Sequence, residues 1–341
     1  MNKGHDIASF SAPVPIRVLV DAHCFDQEFG GSRTFIRELY SQLAKQPGVQ
    51  IFMAAYHIHL LKESFPSAPG LFFVKYKSRS RLVRLLYDIP RLVRKYRIDY
   101  AHFQYISSPW KNCRQILTIH DLLFKDYPGE FPLSYRIVKW FFFRRSAARA
   151  DIITTVSDYS KNSLEKHLFL HPDRITVIAN AVHDRYFEPY NTAEAKEWVK
   201  KKLGFEKYLL CVSRFEPRKN QLLLLSVYLK LRLYEQGFHL LFLGQKSIPV
   251  KGFPSLIQSL DPDIMKFIHL AEAASDDGLL KYYQAADLLV YPSRAEGFGL
   301  PPLEAAALRK PVICSNTSAM AAYTFFGEDH INPLHILLHC Q

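Results

Sequence analysis

The sequence predicts an α/β protein made of two doubly wound, Rossmann-like domains that face each other across an interdomain cleft. Three observations predict it: short β-branched or aromatic runs alternate with amphipathic helical patterns, the alternation comes in two successive series, and a polar stretch without strand pattern lies between them. With 341 residues, 48% of them hydrophobic, the chain is long enough for two ordinary globular domains.

The first series comprises the candidate strands Ile16 to Asp21, Gln50 to Ala55, Tyr100 to Gln104, Gln115 to Ile119, Ile152 to Val156 and Ile175 to Ile178. Helical patterns such as Thr34 to Ala44 and Leu133 to Arg149 fall between them. The second comprises Tyr208 to Ser213, His239 to Leu243, Phe267 to Leu270, Leu288 to Tyr291 and Pro311 to Cys314. Such alternation builds parallel sheets covered on both faces. His183 to Lys207 is polar, contains Pro189 and has no strand pattern, which puts a boundary near residue 185 and domains over 1–185 and 186–341. Ligands of open α/β sheets bind beyond the carboxyl ends of the strands, so the loops there are where chemistry is expected.

The longest apolar runs, such as Trp140 to Phe143 and Leu222 to Leu225, fall far short of the roughly 20 residues of a membrane-spanning helix. The first residues lack the continuous apolar core of a secretory signal, so a cytoplasmic location is expected. Cys24, Cys113, Cys211, Cys314 and Cys340 form no Cys-x-x-Cys pair and have no His partners at metal spacing, which fits reduced thiols and suggests neither zinc nor a disulfide frame.

The net charge is +12, and two segments hold all of it: residues 75–97 carry nine basic residues and one acid, residues 136–149 five basic residues and no acid. In the first, Leu82, Leu85, Leu86, Ile89 and Val93 recur at helical spacing, with Arg81, Arg84, Arg91 and Arg94 off that stripe, and Pro90 is expected to kink or split the helix. The pattern suits a solvated helix face or docking on an anionic membrane surface. Without a helix-turn-helix, zinc-finger or RNA-binding signature, nucleic acid is not an expected partner.

Four loops carry candidate chemistry. Arg294 to Arg309 follows the strand Leu288 to Tyr291; Gly297 and Gly299 permit close backbone approach, Pro301 or Pro302 suits a first helical turn, and the helix start attracts anions. Glu296 and Glu304 bracket this loop, and carboxylates there suit sugar hydroxyls, which donate hydrogen bonds to them. The strand Tyr208 to Ser213 leads into Arg214, Arg218 and Lys219, cations able to neutralise a diphosphate. Phe29-Gly30-Gly31-Ser32 precedes an amphipathic helix, a candidate phosphate or sugar contact, and His120-Asp121 follows the strand Gln115 to Ile119. No GxGxxG or GxxxxGK[ST] motif occurs, which takes support from dinucleotide oxidoreductases and P-loop kinases.

Taken in order, GGSRTFIREL, TIHDLLF, RSAARADIITTVSDYSK, ITVIANAV, VSRFEPRKN, AADLLVYPSRAEGFGLPPLEA and PVICSNTSAM resemble the retaining glycosyltransferases of the GT-B fold, specifically family 4. The likeness runs from about Arg17 to Pro333. Its most specific part is the Glu-x7-Glu element EGFGLPPLE, and HDLLFKDYP and HINP are closest to mannosyltransferase-like members.

The resemblance implies an acceptor site mainly in the first domain, a nucleotide-sugar site mainly in the second, and neither a cofactor nor a metal. By matching position, Glu296 would hold the donor sugar's hydroxyls and Glu304 the ribose, while the backbone of Gly297, Phe298, Gly299 and Leu300 would line sugar and phosphates. Arg214 and Lys219 would bind the diphosphate, His120 would lie beside the donor sugar, and Gly30 and Gly31 would form a loop near phosphates and acceptor. The expected partners are a nucleotide-sugar donor and a glycan or lipid-linked acceptor, with an anionic membrane surface met through residues 75–97 and 136–149. The expected function is hexosyl transfer, with mannosyl as the candidate unit, in polysaccharide biosynthesis at the inner face of a membrane; a truncated, inactive nucleotide-sugar-binding protein and a GT-B-type sugar epimerase are the alternatives. Three departures stand out. Asn180-Ala181-Val182-His183 replaces the usual Asn-Gly-Val-Asp, Ala321-Ala322 replaces a common Pro-Glu, and the chain ends at INPLHILLHCQ where relatives usually continue, so the C-terminal domain is expected to be shortened.

Overall fold

The computed structural model describes residues 14–26, 30–65, 67–272 and 275–333; Phe29, Cys340 and the C-terminal stretch from Leu334 lie outside them. The chain divides into two compact units, one of residues up to Thr118 with Ala148–Ile152, the other of Ile119–Ala147 with the residues from Ile153 on. Residue 185, where composition places a linker, lies inside the second unit, in a 3-10 turn Asp184–Tyr186 whose Tyr186 is buried.

In the first unit, β1 (Ile16–Asp21), β2 (Val49–Ala55), β3 (Leu71–Lys75), β4 (Tyr100–Gln104) and β5 (Arg114–Thr118) pair in parallel in the order β3-β2-β1-β4-β5. The order reverses between β1 and β4, the position at which open sheets leave room for a ligand. The expected strands recur within a residue or two. β3 is not among the expected strands, and its last residue, Lys75, is the first of the basic segment 75–97.

That basic segment corrects the expectation. Its helical part begins at Arg81 and runs through a π turn, Arg84–Asp88, into Ile89–Tyr96. Pro90 does not split it. Proline lacks the N–H that would reach the carbonyl of Leu86, and Trp110 Nε1–H donates to that carbonyl instead at 3.1 Å, beside Ser108 Oγ on the carbonyl of Leu85 at 2.8 Å. The wider π turn also rotates the apolar stripe. Leu85, Ile89 and Val93 are buried, but Leu82 and Leu86 face solvent, and Arg84 points inward onto Asp21 with Nε 3.3 Å from Oδ2.

β6 (Ile152–Thr155) belongs to the second unit from Ile153 on, where it pairs in parallel with β7 (Ile175–Val177). A six-stranded parallel sheet follows, built from β8 (Tyr208–Val212), β9 (His239–Leu243), β10 (Ile268–Ala271), β11 (Leu288–Tyr291), β12 (Val312–Ser315) and β13 (His330–Ile331) in the order β10-β9-β8-β11-β12-β13. Alternate residues feed two cores: Tyr208, Leu210, Leu241, Leu243, Leu289 and Tyr291 on one face, Leu209, Cys211, Leu240, Phe242 and Val290 on the other. Burial on both faces is why these strands read as unbroken apolar runs. The order reverses between β8 and β11, and the two loops with the strongest chemical patterns leave those two strands.

Candidate functional site

β8 ends at Val212, and after Ser213 to Glu216 a 3-10 turn, Pro217–Lys219, presents the cations. Asn220 ends that turn in the left-handed region at φ 61°, a conformation asparagine tolerates better than most residues, and the helix Gln221–Lys230 starts at once. Gln221 Nε2 donates to Ser213 Oγ at 2.9 Å and to the Arg214 carbonyl at 2.8 Å, closing the loop on itself.

Glu296 lies five residues beyond the end of β11 and is buried. Its Oε1 accepts from Lys219 Nζ, from the Tyr291 hydroxyl at 2.8 Å and from the Ser293 hydroxyl at 2.6 Å, while Oε2 accepts from Arg218 Nη1 at 3.1 Å. Its own N–H donates to Ser318 Oγ at 2.8 Å. Lys219 Nζ also donates to the Tyr291 oxygen at 2.9 Å, and Arg218 holds the Ala295 carbonyl at 2.7 Å and Glu216 Oε2 at 2.8 Å. Burial alone would raise the Glu296 carboxyl, but Lys219 and Arg218 outweigh it and bring it down to about 2. The carboxylate is therefore ionised and locked between two cations.

Gly297 and Gly299 are required by geometry. A Cβ on Gly297 would stand 2.8 Å from Asp121 Cβ and 2.9 Å from the His120 carbonyl oxygen, so only glycine lets this backbone lie on the His120-Asp121 turn. The Gly297 carbonyl accepts from Ser157 Oγ at 2.6 Å and Ser160 Oγ at 3.1 Å. Gly299 has φ +97°, and a Cβ there would meet Met320 Cγ at 2.7 Å. The helix Leu300–Ala307 starts directly after it, with proline in its first turn and no side chain capping its N-terminus. The Tyr323 hydroxyl donates to the Phe298 carbonyl at 2.8 Å. Glu304 is half-buried in the second turn, its Oε2 accepting from the Tyr283 hydroxyl at 2.8 Å.

The structure thus joins Lys219 to Glu296 directly, lays Gly297 on His120-Asp121, and sets Leu300 at the helix start with Glu304 one turn on. His120 is buried, and burial raises the neighbouring Asp121 carboxyl against the opposing effect of Arg218. Arg214 sits in the Lys219 loop. Gly30 and Gly31 belong to the first unit, where both are exposed at the start of the helix Gly31–Leu43, and Gly30 is extended at φ 178°. Ala181 does not have positive φ, so the Gly-to-Ala departure there costs no strain. Sequence reasoning missed the clamp on Glu296. Tyr291 and Ser293 stand two apart, the period that puts strand residues on one side, and that spacing was the available signal. Arg218 reads in the sequence only as one more cation of its loop. Among the described residues no group of three or more His, Cys, Asp or Glu side chains is arranged to hold a metal ion, and no helix is long and apolar enough to cross a membrane.

The family model for Glycosyltransferase Family 4 matches residues 29–186, and that for Glycosyl transferases group 1 matches residues 193–325. Among curated proteins, the chain is 29% identical over 264 residues to O-antigen chain mannosyltransferase B of Escherichia coli, a match covering 72% of this chain and 68% of that protein. It is 28% identical over 220 residues to O-antigen chain mannosyltransferase RfbU of Salmonella typhimurium, covering 64% of this chain and 57% of that protein. Among solved structures, sucrose-phosphate synthase (tll1590) from Thermosynechococcus elongatus matches with a TM-score of 0.71 at 20% identity, over 96% of this chain and 88% of that chain, a likeness of fold.

Proposed function

Because the chain belongs to the GT-B glycosyltransferases of family 4, we propose that it is a retaining enzyme moving a hexosyl unit, mannose in the first instance, from a nucleotide sugar to a glycan or lipid-linked glycan acceptor. The observation that carries the reading is the Lys219–Glu296 pair at the reversal of strand order, beside an uncapped helix start. A donor sugar needs hydroxyl acceptors, and its diphosphate needs cations and N–H donors; this place supplies both within a few residues.

The assignment of roles follows from capacity. Glu296 Oε1 already accepts three hydrogen bonds and Oε2 one, so a sugar hydroxyl would donate to Oε2. Lys219 has three N–H bonds, two of them directed at Glu296 and Tyr291, and the third would meet the diphosphate. As the C1–O bond of the donor breaks, its electron pair passes to the departing phosphate oxygen. Arg214, Lys219 and the N–H groups of Gly297 to Leu300 stabilise the charge that develops, in place of a divalent metal. The acceptor oxygen bonds to C1 on the same face and its proton goes to that phosphate oxygen. Glu304 would accept from the ribose, and His120 would lie beside the sugar. A lipid-linked acceptor makes the working location the cytoplasmic face of a membrane, with the protein peripheral to it.

The test is thermal shift against GDP-mannose, UDP-glucose and ADP-glucose, paired with a donor-turnover assay. Stabilisation by one donor with release of its nucleoside diphosphate is expected. Failure of every nucleotide sugar to raise the Tm overturns the reading, and turnover to an epimerised donor without an acceptor replaces transfer by epimerisation.

A further inference from the structure

Two hydroxyls at the start of the helix Asp158–Leu168 converge on one backbone atom. Ser157 Oγ, at the N-cap, and Ser160 Oγ, in the first turn, both donate to the Gly297 carbonyl, at 2.6 and 3.1 Å, and so occupy both of its lone pairs. Ser157 Oγ also accepts from the Ser160 N–H at 3.1 Å, so cap and clasp share one hydroxyl. The helix is itself held by Asp126, which accepts from the Ser163 hydroxyl at 2.6 Å, the Tyr159 hydroxyl at 3.3 Å and His167 Nε2 at 2.8 Å. These three residues are spaced four apart, on one face, so a single carboxylate fastens three turns.

In a trans peptide unit the carbonyl and the following N–H point in opposite directions, and no cis bond occurs among the described residues. Holding the Gly297 carbonyl from one side therefore aims the Phe298 N–H at the other. The next unit is held likewise: the Tyr323 hydroxyl donates to the Phe298 carbonyl at 2.8 Å, which aims the Gly299 N–H away from Tyr323. Neither N–H donates to an acceptor among the described residues.

We propose that Ser157 and Ser160 are positioning residues for the sugar-bearing phosphate of the donor: by pinning the Gly297 carbonyl they hold the Phe298 N–H ready to donate to that phosphate, as Tyr323 holds the Gly299 N–H. A peptide unit flanked by glycines has many orientations open to it, and fixing it beforehand removes the reorganisation that a developing charge would otherwise require. The assignment rests on the nucleotide-sugar reading of this loop and adds the side chains that set its geometry.

The experiment is titration calorimetry with GDP, UDP and ADP and with GMP, UMP and AMP, followed by steady-state kinetics with the nucleotide sugar of the base that binds. Wild-type protein is expected to bind one diphosphate more tightly than its monophosphate. Ser160→Ala, which keeps the cap and puts a good helix former in the helix, is expected to weaken that diphosphate about tenfold and its monophosphate less than about twofold, at the wild-type Tm and with kcat reduced. Ser157→Asp also keeps a capping oxygen but has no proton for the Gly297 carbonyl, and should lose diphosphate affinity in the same selective way. Ser157→Thr restores both hydroxyl functions and should recover the affinity lost in Ser157→Asp. Unchanged diphosphate binding in Ser160→Ala and Ser157→Asp, equal losses of diphosphate and monophosphate, or no recovery in Ser157→Thr overturns the proposal while leaving the transferase reading in place. A wild-type protein that binds none of the six nucleotides overturns the transferase reading, and the positioning with it.

Discussion

Each unit buries a carboxylate at the carboxyl end of its sheet, next to the reversal of strand order, and surrounds it with a cation and a tyrosine. In the first unit Asp21 has Arg84 Nε at 3.3 Å, His23 Nδ1 at 3.1 Å and the Tyr76 hydroxyl at 2.9 Å. In the second, Glu296 has Lys219, Arg218, Tyr291 and Ser293. The electrostatics are alike: burial raises both carboxyls, the neighbouring cations outweigh it, and both end well below the usual range. The attachment differs. Asp21 is the last residue of β1, so strand register fixes it, and its partners join neighbouring parts of the unit. Glu296 hangs on a loop, held by Arg218, Lys219 and Ser293 of the two loops that also present Gly297, Gly299 and a helix start, and by Tyr291 at the end of β11. A carboxylate set by the sheet fastens the fold; the same group set by loops can serve a ligand.

The comparison is broken most directly by removing the cation from each cluster. Lys219→Ala is expected to reduce kcat by at least about 100-fold, the scale on which a positioned charge donor contributes to a developing negative charge. Arg84→Ala is expected to leave kcat near wild type and to lower stability by about 3 kcal/mol, because Asp21 stays buried with one partner fewer. Urea unfolding and steady-state kinetics on both variants decide it. An equal loss of kcat in Arg84→Ala would make Asp21's cluster part of the reaction.

Acid titration sharpens the comparison at the next level of effect. Glu296 is shifted from an ordinary 4.5 to about 2, so the unfolded chain binds its proton first as pH falls. Its contribution is fully present above pH 5 and is lost as pH drops towards 2, with a slope of at most about 1.4 kcal/mol per pH unit. Glu296→Gln should flatten the fall in stability between pH 5 and pH 3.5, and Asp21→Asn should flatten it in the same sense. Only Glu296→Gln should reduce kcat at neutral pH. A stability profile for Glu296→Gln parallel to wild type refutes the ionised, clamped carboxylate.

Much of this was legible in the sequence, for a physical reason. Strands buried on both faces leave apolar runs, and charged loops directly after such runs mark the carboxyl ends, so Arg214, Lys219, Glu296 and Glu304 stood out. What was not legible is direction. Arg218 and Lys219 are adjacent cations, and only the left-handed Asn220 and the turn before it show that both point at Glu296. The π turn Arg84–Asp88 inverts the reading of Leu82, Leu86 and Arg84, and Pro90 alone does not announce it. In Leu133–Arg149 the run Trp140 to Phe143 makes both faces apolar, so periodicity could not say which one is outside.

The smallest effect comes from removing a single hydroxyl in each unit. Tyr76→Phe deletes one donor to Asp21 and keeps the ring in a fully buried site, so a loss of about 1 kcal/mol is expected, with kcat and KM unchanged. Tyr291→Phe deletes two bonds through one oxygen, which accepts from Lys219 Nζ and donates to Glu296 Oε1. Its stability loss should be of similar size, since the Lys219–Glu296 contact remains to hold both charges. Lys219 would, however, turn more fully onto Glu296 and away from the diphosphate, so KM for the donor should rise. Measuring donor KM and unfolding free energy for the two phenylalanine variants side by side separates the cases: matched losses of stability with a KM change in Tyr291→Phe alone is the expected result. A KM change of the same size in Tyr76→Phe would mean that the clusters do not differ in kind.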